Sequence, residues 1–120
     1  MPPRRPALAA LATTLTLTLA AALPARADLV IEGRAAQALQ CSALLYLVSD
    51  MLFEAGYIDR SDRDAAQSAA VVMLDHVPGT DDQKVQAMGQ RFDRIFRTRS
   101  LPELMEEFDK TAPWCQKTFL

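Results

Sequence analysis

Histidine is nearly missing from this sequence: His76 stands alone among 120 residues. Any Ser-His-Asp or Cys-His mechanism would have to run through that one imidazole. Its place near the end of an expected helix gives it a structural role instead, because a cation there complements the helix dipole. Cysteine is scarce too. Cys41 and Cys115 are the only two, with no Cys-x-x-Cys and no Cys-x-x-Cys-His, so the spacings of a zinc ribbon, a dithiol redox motif and a covalent haem site are absent. The acidic run Asp59, Asp62 and Asp64 lacks the glycine and the distal glutamate of a calcium loop. No Met-x-Met or Met-x-x-Met offers soft sulfur ligands to copper. There is no internal repeat, no low-complexity linker and no alternating run long enough for a sheet. No cofactor, metal site or catalytic residue is therefore expected.

What is present begins with a leader. Arg4 and Arg5 precede an apolar run from Ala7 to Leu23, Pro24 breaks it, and Ala25-Arg26-Ala27 puts small residues three and one before a cut. This is the pattern of a cleavable signal peptide over 1–27, with the mature chain starting at Asp28. The run is interrupted by Thr13, Thr14, Thr16 and Thr18 and is short for a spanning helix, which needs about 20 apolar residues. No stable membrane insertion is expected after cleavage. Periplasmic or secreted localisation follows. An oxidising compartment would then join Cys41 and Cys115, the only pair available.

Cleavage takes away Arg4, Arg5 and Arg26 and no acidic residue, leaving 10 basic residues against 15 acidic ones, a formal charge of -5. An acidic chain gains nothing from the counterion release that drives nucleic-acid binding, and anionic lipid repels it. The expected partner is another envelope protein.

Within the mature chain, apolar spacing predicts four helices, about 34–55, 62–77, 81–98 and 101–111, followed by a short C-terminal turn and preceded by an extended arm at 28–33. The first carries Cys41, Leu44, Leu45, Val48, Leu52 and Ala55 on one face and Leu39, Tyr46 and Phe53 on a second, which makes it central, and Gly56 stops it. The second starts in the cluster 59–64, with Ser61 placed to cap it, and buries Ala65, Ala66, Ala69, Ala70, Met73 and Val77. Thr80 with Gln83 and Ser100 with Glu103 are capping boxes that open the third and fourth. Val85, Met88, Phe92, Ile95 and Phe96 form the third helix's apolar face; Leu101, Leu104, Met105 and Phe108 form the fourth's, which ends before Pro113. The fold class is all-α: a small antiparallel four-helix bundle in one domain, held by one disulfide.

The remaining features are surface chemistry. Met51, Met73, Met88 and Met105 fall one to a helix and read as core filling. Glu103, Glu106, Glu107 and Asp109 read as a solvated face. Trp114 is placed to cover the sulfur bridge. Arg91, Arg94, Arg97 and Arg99 are the one basic cluster on an acidic protein, and guanidinium groups bind carboxylate and phosphate well. They are the candidate interaction surface.

In layout alone, the leader, helical body and two widely spaced cysteines resemble a loose class of exported bacterial helical proteins that includes toxin-immunity proteins and acid-stress chaperones. The resemblance carries over no residue and no activity. It makes a non-catalytic protein-binding module the leading expectation, a holdase-type chaperone the alternative and an enzyme the third.

Overall fold

The computed structural model describes residues 30–120. The leader at 1–27 and the start of the arm, Asp28 and Leu29, lie outside that range. Four α-helices follow: α1 Gly33–Glu54, α2 Arg60–Met73 with a 3-10 turn at Leu74–His76, α3 Asp81–Thr98 and α4 Leu101–Phe119. They build the all-α bundle that the periodicity predicts.

Side-chain contacts give the directions. Arg63 of α2 meets Asp50 and the ring of Phe53 on α1, while Ala70 lies against Ser42, so the two helices run antiparallel. Cys115 bonded to Cys41, with Phe119 beneath Arg34, sets α4 antiparallel to α1 as well. Between them α3, about 27 Å long at 1.5 Å per residue, carries the chain back from the foot of α1 toward its head. The order is up, down, up, down.

Helix α1 is the axis of the packing. No residue from Ala38 to Phe53 is exposed. Three neighbours approach it from different sides, α2 at Ser42, α3 at Gln40 and Tyr46, and α4 at Cys41. Enclosure on all sides calls for a helix that is apolar all round. That is why α1 is long and apolar enough to pass for a membrane span while its residues form the core with Met73, Val77, Ile95, Leu104 and Phe119. Two covered flanks were expected, and the structure covers a third.

The helix ends follow elementary chemistry with one exchange of roles. Gly56, at φ +83°, lets the chain turn left-handed, and the amides of Tyr57 and Gly56 bond back to the carbonyls of Leu52 and Phe53 in a Schellman motif. At α2 the cap is Asp59, not Ser61: its carboxylate accepts the Asp62 amide at 2.8 Å, and the helix starts at Arg60, ahead of the expected 62. Both capping boxes form as the sequence predicts, on Thr80 with Gln83 and on Ser100 with Glu103.

The fourth helix departs most from expectation. It does not end at 111 but runs through Pro113 to Phe119. Proline removes the amide that would bond to the Asp109 carbonyl. Both Pro113 and Asp109 lie on the exposed face, where water can serve the freed carbonyl, while Cys115 and Phe119 on the opposite face are buried and tie the last two turns down. Packing overrides the local stop.

Three apolar expectations also shift outward. Val85 is 69% exposed, Phe96 59% and Leu101 56%. With three helices already around α1, the inner faces of α3 and α4 are narrow, and Met88, Ile95 and Leu104 fill them. On α2 the close approach falls at Ala70, fully buried, with Ala69 at the margin and Ala65 exposed. There the Leu74 amide turns to the Val71 carbonyl as the helix tightens, and the buried Ser42 hydroxyl donates to the Ala70 carbonyl at 2.6 Å.

Candidate functional site

The bridge forms as the two cysteines predict, with an S–S distance of 2.03 Å across 74 positions of sequence. Leu44, Leu45, Met73, Phe108 and Ala112 make a shallow apolar cleft over it. Trp114 does not line that cleft. It meets the ring of Phe119 edge-on at 5.6 Å, and His76 meets the same ring at 5.1 Å. The lone histidine is thus an exposed edge of an aromatic cluster that Arg34 closes, its guanidinium 5.2 Å from the Phe119 centroid and donating to the Thr118 carbonyl. Among the described residues, no three His, Cys, Asp or Glu side chains stand together as a metal site.

The arginines are positioned by the end of α3. The capping box at Thr80 fixes the start of the helix, and its rotation then sends Met88 and Ile95 into the core and Arg91 to their flank. Arg91 is half-buried and donates to Gln40 Oε1 on α1 at 3.1 Å. Burial, with the nearby charges of Arg94 and Arg99 adding to it, holds its pKa below the ordinary guanidinium value. Arg99, the C-cap of α3, turns to α4 and pairs with Glu107, one bond measuring 3.0 Å. Glu107 is therefore half-buried and engaged, a correction to its reading as part of a solvated face. Arg97 bonds to the Asp93 carbonyl of its own helix at 3.3 Å, and Arg94 is exposed.

The four expected residues thus divide. Arg91, Arg94 and Arg99 share one surface where α1, α3 and the first turns of α4 meet, and Arg97 faces outward beside them. Arg99 is neutralised by Glu107; Arg91, Arg94 and Arg97 have no carboxylate partner among the described residues. On a chain with an excess of acid, three uncompensated guanidinium groups within two turns are a distinct electrostatic feature.

Sequence reasoning missed Gln40. It holds Arg91, and its own Nε2 is buried without a hydrogen-bond partner among the described residues. The signal was available: between Ala38 and Val48 it is the single long polar side chain in an otherwise apolar stretch. Searches against protein-family models, curated proteins and solved structures find no match for this chain.

Proposed function

We propose that this protein is a non-catalytic binding module of the cell envelope that engages an acidic surface of another protein through the arginines of α3. The observation that carries the reading is the set of unpaired guanidinium groups of Arg91, Arg94 and Arg97 on a rigid helix of a net-acidic chain. Guanidinium groups lose little hydration on pairing and match carboxylates in pairs of bonds. The exposed rings and side chains of Phe96 and Leu101, at the junction of α3 and α4, add apolar area of the kind that anchors protein interfaces. An oxidised Cys41–Cys115 pair accords with an exported protein, and the leader pattern at 1–27 supplies the route.

Crosslinking of the tagged protein in the envelope tests this. One dominant partner is expected, and the Arg94→Glu, Arg97→Glu double variant should recover little of it at an unchanged melting temperature. Arg91 is left in place because it also holds Gln40. Undiminished recovery by the double variant would remove the arginine surface from the account.

A holdase-type chaperone is the second reading, favoured by the exposed apolar side chains Tyr57, Val71, Val85 and Phe96. It expects many clients rather than one, with client aggregation suppressed near pH 3 and not near pH 7. Absence of suppression at both would dismiss it.

A further inference from the structure

Helix α3 carries a second apolar face besides the one it packs on α1. Val85, Gly89, Phe92 and Phe96 recur at four, three and four, so at about 3.6 residues per turn they form one stripe along the helix, to one side of the buried Met88 and Ile95. Phe92 is half-buried, its ring 5.9 Å from that of Tyr46 on α1. Val85 is 69% exposed, Phe96 59%, and Gly89 stands exposed between them. Glycine in an exposed helix interior is unfavourable, and a Cβ at 89 would meet nothing within 4 Å. The fold of the single chain has no need of it. A second backbone passing close over the stripe does.

The polar residues along the outer flank of the stripe stand in a telling order. Asp82 lies at the start of α3 and Arg97 at its end, with Gln86 and Asp93 between them. Neither Asp82 nor Arg97 takes part in an ion pair among the described residues. A second α3 laid antiparallel on the first, about a two-fold axis between Gly89 and Gln90, sets each Asp82 against Arg97 of the other copy and each Gln86 against the other copy's Asp93. Both pairs are centred on that axis. A parallel copy would set acid on acid and base on base, so the face complements itself in one orientation alone.

From this arrangement we infer that the Val85–Gly89–Phe92–Phe96 face of α3 is the contact of a symmetric homodimer, with Gly89 at the crossing and Asp82–Arg97 pairs closing both ends. A single helix pair buries less than the roughly 800 Å² per copy of a stable interface, so the dimer is weak and concentration-dependent. Arg97 and Phe96 are drawn into the contact between copies. Arg94 lies on the opposite side of α3 and stays open, with Arg91, to an acidic partner.

Sedimentation equilibrium of the purified, disulfide-bonded protein over a wide concentration range tests this. A monomer–dimer equilibrium weakened by salt is expected. Gly89→Gln overfills the crossing while meeting nothing in its own chain; it should raise the dissociation constant about tenfold or more, and raise the melting temperature of the dilute monomer because glycine is the poorer helix former. Asp82→Arg and Arg97→Asp should each raise the dissociation constant about tenfold, since each change is felt twice across the axis. An equimolar mixture of these two variants should return to the wild-type value, because opposite charges then meet at both ends. A monomer at every concentration would overturn the dimer. A dimer that Gly89→Gln leaves intact, or one that the mixture does not restore, would overturn its assignment to α3. Gly89→Gln alters no arginine, so loss of the dimer and loss of the acidic partner are read separately.

Discussion

Ser42 shows how much one hydroxyl can settle. It is wholly buried, and it satisfies the Ala70 carbonyl at the point where α2 tightens into its 3-10 turn. Replacing it by alanine leaves that carbonyl without its donor, and the expected loss is about 1–3 kcal/mol, read from the midpoint of urea unfolding at unchanged slope. Glu103 makes a second residue-scale case. The Ser100 amide and hydroxyl, in that order, hold its pKa below the ordinary carboxylate value, with Arg99 helping and desolvation opposing. A carboxylate with a depressed folded pKa stabilises the fold above its unfolded pKa, and that contribution is lost as pH falls through the folded value. A carbon-detected titration should therefore place the Glu103 midpoint below that of an ordinary glutamate, and Glu103→Gln should flatten the acid side of the melting-temperature profile. A Glu103 midpoint at or above the ordinary value would contradict the capping geometry.

At the scale of the element, what the sequence reveals and what it conceals divide along local and tertiary lines. The start of α3, the box at Ser100 and the stop at Gly56 are legible because donor, acceptor and φ requirement all lie within four residues of one another. The arginine cluster is legible for the same reason, its spacing being a property of one helix. The extent of α4 is not, since Pro113 signals an end while the reason to continue is a sulfur 74 positions upstream. Neither is Gln40, whose role depends on which helix settles over it. The outward turn of Val85, Phe96 and Leu101 escapes for the same cause, because periodicity gives a stripe and not the width of the space that receives it. Two variants probe these tertiary effects. Ala70→Leu should destabilise by about 1–3 kcal/mol through overpacking against α1, whereas Ala69→Leu, at the margin, should be nearly neutral. Pro113→Ala restores a donor for Asp109 and should raise stability by about 1–2 kcal/mol, part of the gain being offset by a freer unfolded chain.

For the molecule as a whole, the bridge joins α1 to the last turns of α4, two elements at opposite ends of the described chain. Closing a loop of that size removes entropy from the unfolded state equivalent to roughly 4 kcal/mol on a chain-entropy model. Replacing both Cys41 and Cys115 by serine should lower the unfolding free energy by an amount of that order. Hydrogen exchange should show protection lost first beyond Pro113, where the missing proline amide and the absent bridge act together, while α1 and α2 stay protected. Uniform loss of protection along all four helices would mean that the bridge stiffens the entire bundle equally.

The wrapping of α1 also bears on the order of events during biosynthesis. The greasiest segment of the fold precedes every part that shelters it: α2 follows at once and covers one side, but the last of its cover, the end of α4, is made only when Phe119 is reached. If the chain is exported as proposed, the bundle closes fully only once Cys115 and Phe119 have followed Cys41 to the far side.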